Sequence, residues 1–169
     1  KRLDSDGFSE ITNRQKKRYD IRDIPAIRSY FENNKSLWMP AIYSILGMEA
    51  TLLYVGCVLT LPGSLDQPWH SDGAHLFPED ASLHTPPYCI NAFIPLIDLE
   101  LSHGPTQLQP GTVSKSVAKS QIVQPCLRRG SVLLFDFRLI HRGVANRSND
   151  VRPLLSLTFC RSWWTDPVN

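Results

Sequence analysis

The segment Gln67-Pro68-Trp69-His70-Ser71-Asp72-Gly73 places an imidazole and a carboxylate two residues apart. On a strand, side chains at i and i+2 point to the same face, so His70 and Asp72 would converge on one point. They make half of a two-His-one-carboxylate facial triad, which holds Fe(II) on one face and leaves the opposite positions open. A second His must then come from elsewhere. The sequence also holds His75, His84, His103 and His141. His141 follows the apolar run 131–137 and a short Arg138-Leu139-Ile140 link, which places it at a strand's exit. His75 is the rival because it is close to Asp72. Its odd offset puts it on the opposite face of a continued strand, although Gly73 could break that parity. His84 and His103 sit in loops near Pro or Gly, where a solvated side chain is the ordinary outcome.

An HxD pair alone recurs by chance, and a polar pair at a strand end is its plain explanation. Arg152 changes the balance. It lies eleven residues after His141, near the start of the apolar stretch Val151-Arg152-Pro153-Leu154-Leu155-Ser156-Leu157. A charge there is costly unless paired. An acidic side chain at the strand mouth would satisfy it. Beside an HxD…H set, so would the far carboxylate of a 2-oxo acid whose oxo group and C1 carboxylate sit on iron, since guanidinium forks onto carboxylates. Alternation puts Arg152, Leu154, Ser156 and Thr158 on one face, so Ser156 is a further candidate contact for that cosubstrate. Over residues 88–96, Cys89, Asn91 and Phe93 share a face. Asn91, polar among apolar neighbours, requires a buried partner, either the cosubstrate carboxylate or a backbone group.

These residues need elements to position them. Residues 1–23 are polar without a clean period and read as extended or loop. Pro25 suits a first helical position, and Ile24, Ile27, Tyr30 and Phe31 recur at helical spacing. A second helix is expected over about residues 36–46, with Gly47 as its stop and Pro40 either tolerated early or marking the true start. Strands are expected at 51–60, 69–74, 88–96, 122–127, 131–137 and 151–161, separated by turn signals such as Leu61-Pro62-Gly63 and Arg128-Arg129-Gly130. Short strands after two N-terminal helices read as a β-sandwich or jelly-roll barrel.

Composition excludes several alternatives. The 169 residues fit one domain, and 42% apolar with 20% charged residues is globular composition. Thirteen prolines against nine glycines disfavour long helices. No apolar run approaches the ~18 residues of a membrane span, and a net charge of +2 disfavours nucleic-acid binding. The expected partner is a small-molecule substrate, with no nucleic acid and no membrane; oligomeric state is left open. Residues 1–35 hold nine of the eighteen Lys/Arg, and the cluster Arg14, Lys16, Lys17, Arg18 reads as a solvated segment, with anionic-substrate binding as the minor alternative. Cys57, Cys89, Cys126 and Cys160 form no CxxC, and three lie in apolar runs, which reads as reduced, packed thiols and a cytoplasmic default. The start, Lys1-Arg2-Leu3-Asp4, has neither a Met nor a signal-peptide apolar region, as expected of a trimmed chain.

Four ordered blocks resemble the phytanoyl-CoA dioxygenase family of non-haem iron, 2-oxoglutarate-dependent oxygenases. They are Trp69-His70-Ser71-Asp72; Tyr88-Cys89-Ile90-Asn91-Ala92-Phe93-Ile94-Pro95-Leu96; Gly104-Pro105-Thr106-Gln107 with Pro110-Gly111-Thr112; and Phe135-Asp136-Phe137 through His141-Arg142-Gly143, Asn146-Arg147-Ser148 and Arg152-Pro153. The resemblance implies a mainly β double-stranded β-helix, cupin-like, with N-terminal helices packed on one sheet: a support segment over 1–47 and a catalytic core over 48–169. It implies His70, Asp72 and His141 as Fe(II) ligands and Arg152 on the distal carboxylate of 2-oxoglutarate. Asn91 and Thr106 would lie near that cosubstrate, with Trp69 and Phe93 among the apolar walls. The implied reaction consumes O2 and 2-oxoglutarate, releases succinate and CO2, and hydroxylates a small organic or acyl substrate. His103 and Thr112-Val113 depart from the family's usual Asn-Gly-Pro and Pro-Gly-Ser-His patterns. Retention of Asp72 argues against halogenation. A metal-binding jelly roll without oxygenase activity, a zinc hydrolase on the same three ligands, and a binding module with structural histidines are the rival readings.

Overall fold

The computed structural model describes residues 10–33, 37–80, 83–114 and 121–165. The expectations for the first nine residues and for parts of the loops 74–87 and 102–121 lie outside these. Chain order is β1 (Glu10–Gln15), β2 (Arg18–Arg22), α1 (Pro25–Asn33), α2 (Met39–Leu46), β3 (Thr51–Thr60), β4 (Cys89–Pro95), a 3-10 turn (Leu101–His103), β5 (Gln107–Leu108), β6 (Leu133–Asp136), β7 (His141–Arg142) and β8 (Arg152–Cys160). Six strands form one antiparallel sheet in the order β1-β2-β3-β8-β4-β6, and β5 pairs with β7 in a second. The architecture is the expected mainly β jelly roll with helices on one sheet.

Alternation divides the large sheet into two faces. Val55, Cys57, Ile90, Ala92, Ile94, Leu155, Leu157 and Phe159 point to one side and join Met39, Ile42 and Leu46 of α2 in the main core. Helix α1 begins at Pro25, whose missing N–H costs nothing at that position. Helix α2 carries Pro40 in its first turn and stops at Gly47. Tyr54, Val58, Asn91, Phe93, Arg152, Leu154, Ser156 and Thr158 point to the other side and line a cavity.

Three elements differ from expectation. The polar N-terminal stretch contains a hairpin, β1–β2, and β2 pairs with β3 from Arg18↔Thr60 to Arg22↔Gly56. This carries the sheet across the expected boundary at residue 47. Arg18 is 1% exposed, so the basic cluster is not uniformly solvated; Lys16 and Lys17 are exposed. The expected strands at 69–74 and 122–127 are reduced to single bridges, His70↔His141 and Leu108↔Val123. Pro125 lacks the N–H that would extend the second ladder. In the first, the amides of Asp72 and Gly73 both turn to the Phe137 carbonyl (3.1 Å each), which ends the pairing.

Among the described residues no helix is long and apolar enough to cross a membrane. None of the four cysteines is in a disulfide, and Cys126 is the exposed one. Ile42 is fully buried between helix and sheet, so Ile42→Ala should cost roughly 2–5 kcal/mol of stability. Urea denaturation measures this; a loss well below about 1 kcal/mol would mean α2 does not close the core.

Candidate metal centre and its cavity

His70 and His141 sit opposite each other with reciprocal backbone bonds: His70 N–H donates to His141 O (3.0 Å), and His141 N–H donates to His70 O (2.8 Å). The two rings lie 4.5 Å apart, centroid to centroid. Each Nδ1 meets a carbonyl, Pro68 O for His70 and Leu139 O for His141, at 2.9 Å. A carbonyl only accepts, so each Nδ1 carries the proton and each Nε2 keeps its lone pair. Those Nε2 atoms face Asp72, at 3.9 Å from Oδ1 for His70 and 3.5 Å from Oδ2 for His141. Ligand atoms of His70, Asp72 and His141 all lie within 4.8 Å of one another, and this is the one such group among the described residues. His75 is not part of it. Two imidazoles presenting lone pairs and one carboxylate are a suitable donor set for a divalent ion.

The convergence does not come from strand alternation, since residues 70–72 form no continuous strand. Asp72 is placed by its amide bond to Phe137 O and by Asn91, whose Nδ2 donates to Asp72 Oδ2 (2.7 Å). Asn91 Oδ1 accepts from Thr158 Oγ1 (2.8 Å). Among the described residues the partners that Asn91 required are thus the Asp72 carboxylate and the Thr158 hydroxyl, and Asn91 also lines the cavity. Gly73 makes the turn possible: a Cβ there would lie 2.7 Å from Tyr88 Oη and closer still to the Phe137 ring.

The histidine on β7 has its own supports. Arg138, paired with Asp136 (2.7 Å) and bonded to Thr85, anchors the bend between β6 and His141. The carboxylate bond holds the Arg138 guanidinium above its ordinary pKa. Thr112, one of the departures noted above, accepts the Ile140 amide through Oγ1 (3.1 Å) and so braces the residue before His141. His103, the other departure, accepts the Glu100 amide (3.1 Å) and caps the 3-10 turn.

The site opens into a cavity of about 180 Å³. Thr106 and Ser156 line it, as does Arg152, itself 1% exposed. Arg152 donates through Nη1 to Gly104 O and through Nη2 to Thr60 Oγ1 (2.9 Å). Among the described residues its Nε has no partner. Gly104 lies at φ +67°, and a Cβ there would stand 2.6 Å from Val144 O. Glycine therefore lets the Gly104 carbonyl reach the guanidinium. Burial, and then the neighbouring charge of Arg18, push Arg152 down to about 9. Asn146 closes the back of this corner, donating to Thr60 O (3.0 Å) and Asp150 O (2.7 Å). Trp69 is not in the wall; it lies under the Arg142 guanidinium, 4.6 Å from Cζ to ring centroid. Phe93, Leu154 and Val58 supply the apolar lining.

Sequence reasoning missed Asp20, Tyr54 and Gln67 and took Arg18 mainly as part of a solvated basic cluster, yet all four line the cavity. The signal was present as Arg18-Tyr19-Asp20-Ile21-Arg22, charged and apolar at period two, which is strand alternation with its polar face turned inward.

A family model described as phytanoyl-CoA dioxygenase matches residues 35–154, more than half of the chain. Similar folds occur in crystal structures of EvdMO1 (19% identity, TM-score 0.64), AviO1 from Streptomyces viridochromogenes Tue57 (18%, 0.68) and HygX from Streptomyces hygroscopicus with nickel, 2-oxoglutarate and hygromycin B bound (15%, 0.69). These cover 85%, 97% and 92% of this chain. The chain in turn spans 35%, 77% and 75% of theirs.

Because Asn91 orients the Asp72 carboxylate, Asn91→Ala should weaken divalent-metal binding roughly 10–100-fold while the protein stays folded. Calorimetric titration with Ni(II) reads this; unchanged affinity would mean Asp72 needs no such support.

Proposed function

The chain belongs to the phytanoyl-CoA dioxygenase family, and on that premise we propose that it is an Fe(II)- and 2-oxoglutarate-dependent dioxygenase hydroxylating a small organic or acyl substrate. The observation that carries the reading is one cavity wall holding both a two-His-one-carboxylate cluster and a buried guanidinium with an unpartnered Nε. A protein of similar fold, HygX, holding nickel and 2-oxoglutarate supports it.

His70 Nε2, His141 Nε2 and a carboxylate oxygen of Asp72 would hold the iron. Bound there, the metal would supply the redox chemistry by which O2, 2-oxoglutarate and the substrate are converted to succinate, CO2 and hydroxylated substrate. The protein's own part is orientation and exclusion of water. Nδ1 bonds to Pro68 O and Leu139 O hold both imidazoles in the ligating tautomer. Asn91 keeps the Asp72 carboxylate turned toward them. Arg152, with Thr106 and Ser156 beside it, would take the distal carboxylate of 2-oxoglutarate; its buried charge lacks a carboxylate partner among the described residues. Phe93, Leu154 and Val58 keep the reacting end dry.

Two variants separate these roles. Asp72→Ala should abolish stoichiometric iron binding and 2-oxoglutarate-dependent succinate release together; retention of both would remove the triad. Arg152→Ala should raise the 2-oxoglutarate concentration needed for half-saturation by about tenfold or more, the scale of a charge-assisted hydrogen bond. Its iron requirement should change far less. Titrating each component at saturation of the other decides it, and the reverse order would reassign Arg152.

A further inference from the structure

The cavity holds a second guanidinium that the reading above leaves unused. Arg18, on β2, is 1% exposed and lines the same cavity as Arg152. Its Nη1 donates to Thr60 Oγ1 (3.0 Å), the same oxygen that accepts from Arg152 Nη2 (2.9 Å). The two cationic nitrogens therefore stand no more than about 6 Å apart across one neutral hydroxyl, where like charges repel unless an anion offsets them. Arg152 registers that repulsion, since the charge of Arg18 is one of the two causes that lower its pKa. No carboxylate of the described residues pairs with Arg152, and its Nε has no partner. The carboxylate next along the inward face of β2, Asp20, is bonded to Tyr54 Oη (2.6 Å) and to Arg22 Nε (3.1 Å).

We propose that Arg18 is a second cation of the cosubstrate pocket and that, together with Arg152, it sets a preference for a dianionic over a monoanionic 2-oxo acid. This rests on the oxygenase reading above. A 2-oxo acid held by the metal places its C1 carboxylate at the histidines, so only a second carboxylate at the far end can meet the paired guanidiniums. Arg18 is fixed before any ligand arrives: Nη2 donates to Leu65 O and Val144 O, both at 3.1 Å. It therefore adds positive potential without an ordering cost on binding. The N-terminal hairpin thus contributes to cosubstrate selection as well as to the sheet.

The test is calorimetric titration of the Ni(II)-loaded protein with 2-oxoglutarate and with 2-oxobutanoate, which keeps the metal-binding head but lacks the distal carboxylate. Arg18→Gln should weaken 2-oxoglutarate roughly 10–100-fold, the range for a bond to a charged group. It should leave 2-oxobutanoate within about twofold, which is under 0.5 kcal/mol. Arg18→Lys, which keeps the charge but not the fork, should retain most of the preference for the dianion. Equal losses for both ligands in Arg18→Gln would mean a structural tie and overturn the proposal, as would no loss for either. If circular dichroism shows Arg18→Gln unfolded, Arg18→Lys decides alone, and collapse of its preference for the dianion overturns the idea. Failure of the wild-type protein to bind 2-oxoglutarate removes the oxygenase reading and this inference together. Wild-type binding that is lost in Arg152→Ala but intact in Arg18→Gln removes this inference only.

Discussion

The site hangs on one reciprocal backbone pair, that between His70 and His141. Neither residue lies in a long strand, yet each closes the other's peptide hydrogen bonds, and this brings two rings from distant parts of the chain within 4.5 Å of each other, tilted by 51°. Everything else at the candidate metal centre depends on that joint. The Nδ1 bonds to Pro68 and Leu139 carbonyls have meaning only because the rings already face Asp72. Phe137, four residues before His141, uses its carbonyl to stop the 70–72 segment and aim the carboxylate back at the pair. One short antiparallel contact thus supplies two of the candidate ligands and sets the turn that delivers the third.

The large sheet makes this possible by separating stability from chemistry. On β8, Leu155, Leu157 and Phe159 belong to the core under the helices, while Arg152, Leu154, Ser156 and Thr158 line the cavity. A substitution on one face is therefore read mainly in folding, and on the other mainly in the site. Asn91 joins the two roles. Its backbone lies in the central ladder with β8, and its amide spans Thr158 and Asp72, so the stiffness of the sheet is passed to the candidate ligand Asp72.

Charge is the second organising constraint. Burying Arg152 and Arg18 on either side of one hydroxyl raises the free energy of the protein, and neutral acceptors such as Thr60 Oγ1 and the Gly104 carbonyl only partly offset it. A stable fold that keeps such an arrangement has a use for positive potential at that point. The apolar face beneath the helices supplies the stability against which it is set.

The alternation of apolar and polar residues along 88–96 and 151–161 was legible without coordinates, because period two on a strand forces one face inward. It located the cavity-facing positions of Asn91, Arg152 and Ser156, while the run of short strands between Pro/Gly turns pointed to a β-sandwich or jelly roll. The helix limits near Pro25 and Gly47 were legible too, because they follow from a missing amide and a missing Cβ. The pairing of segments was not. The sequence determined which residue types stand two apart; only the tertiary structure decided that residues 69–74 form one bridge and a turn, that Asn91 faces Asp72, and that the polar N-terminal stretch is a strand carrying Arg18 into the cavity. The physical reason is range. Propensity and alternation act between neighbours in the chain, whereas a strand partner, the acceptor of a buried amide and the neutralisation of a buried charge are chosen by residues 19 to more than 100 positions away.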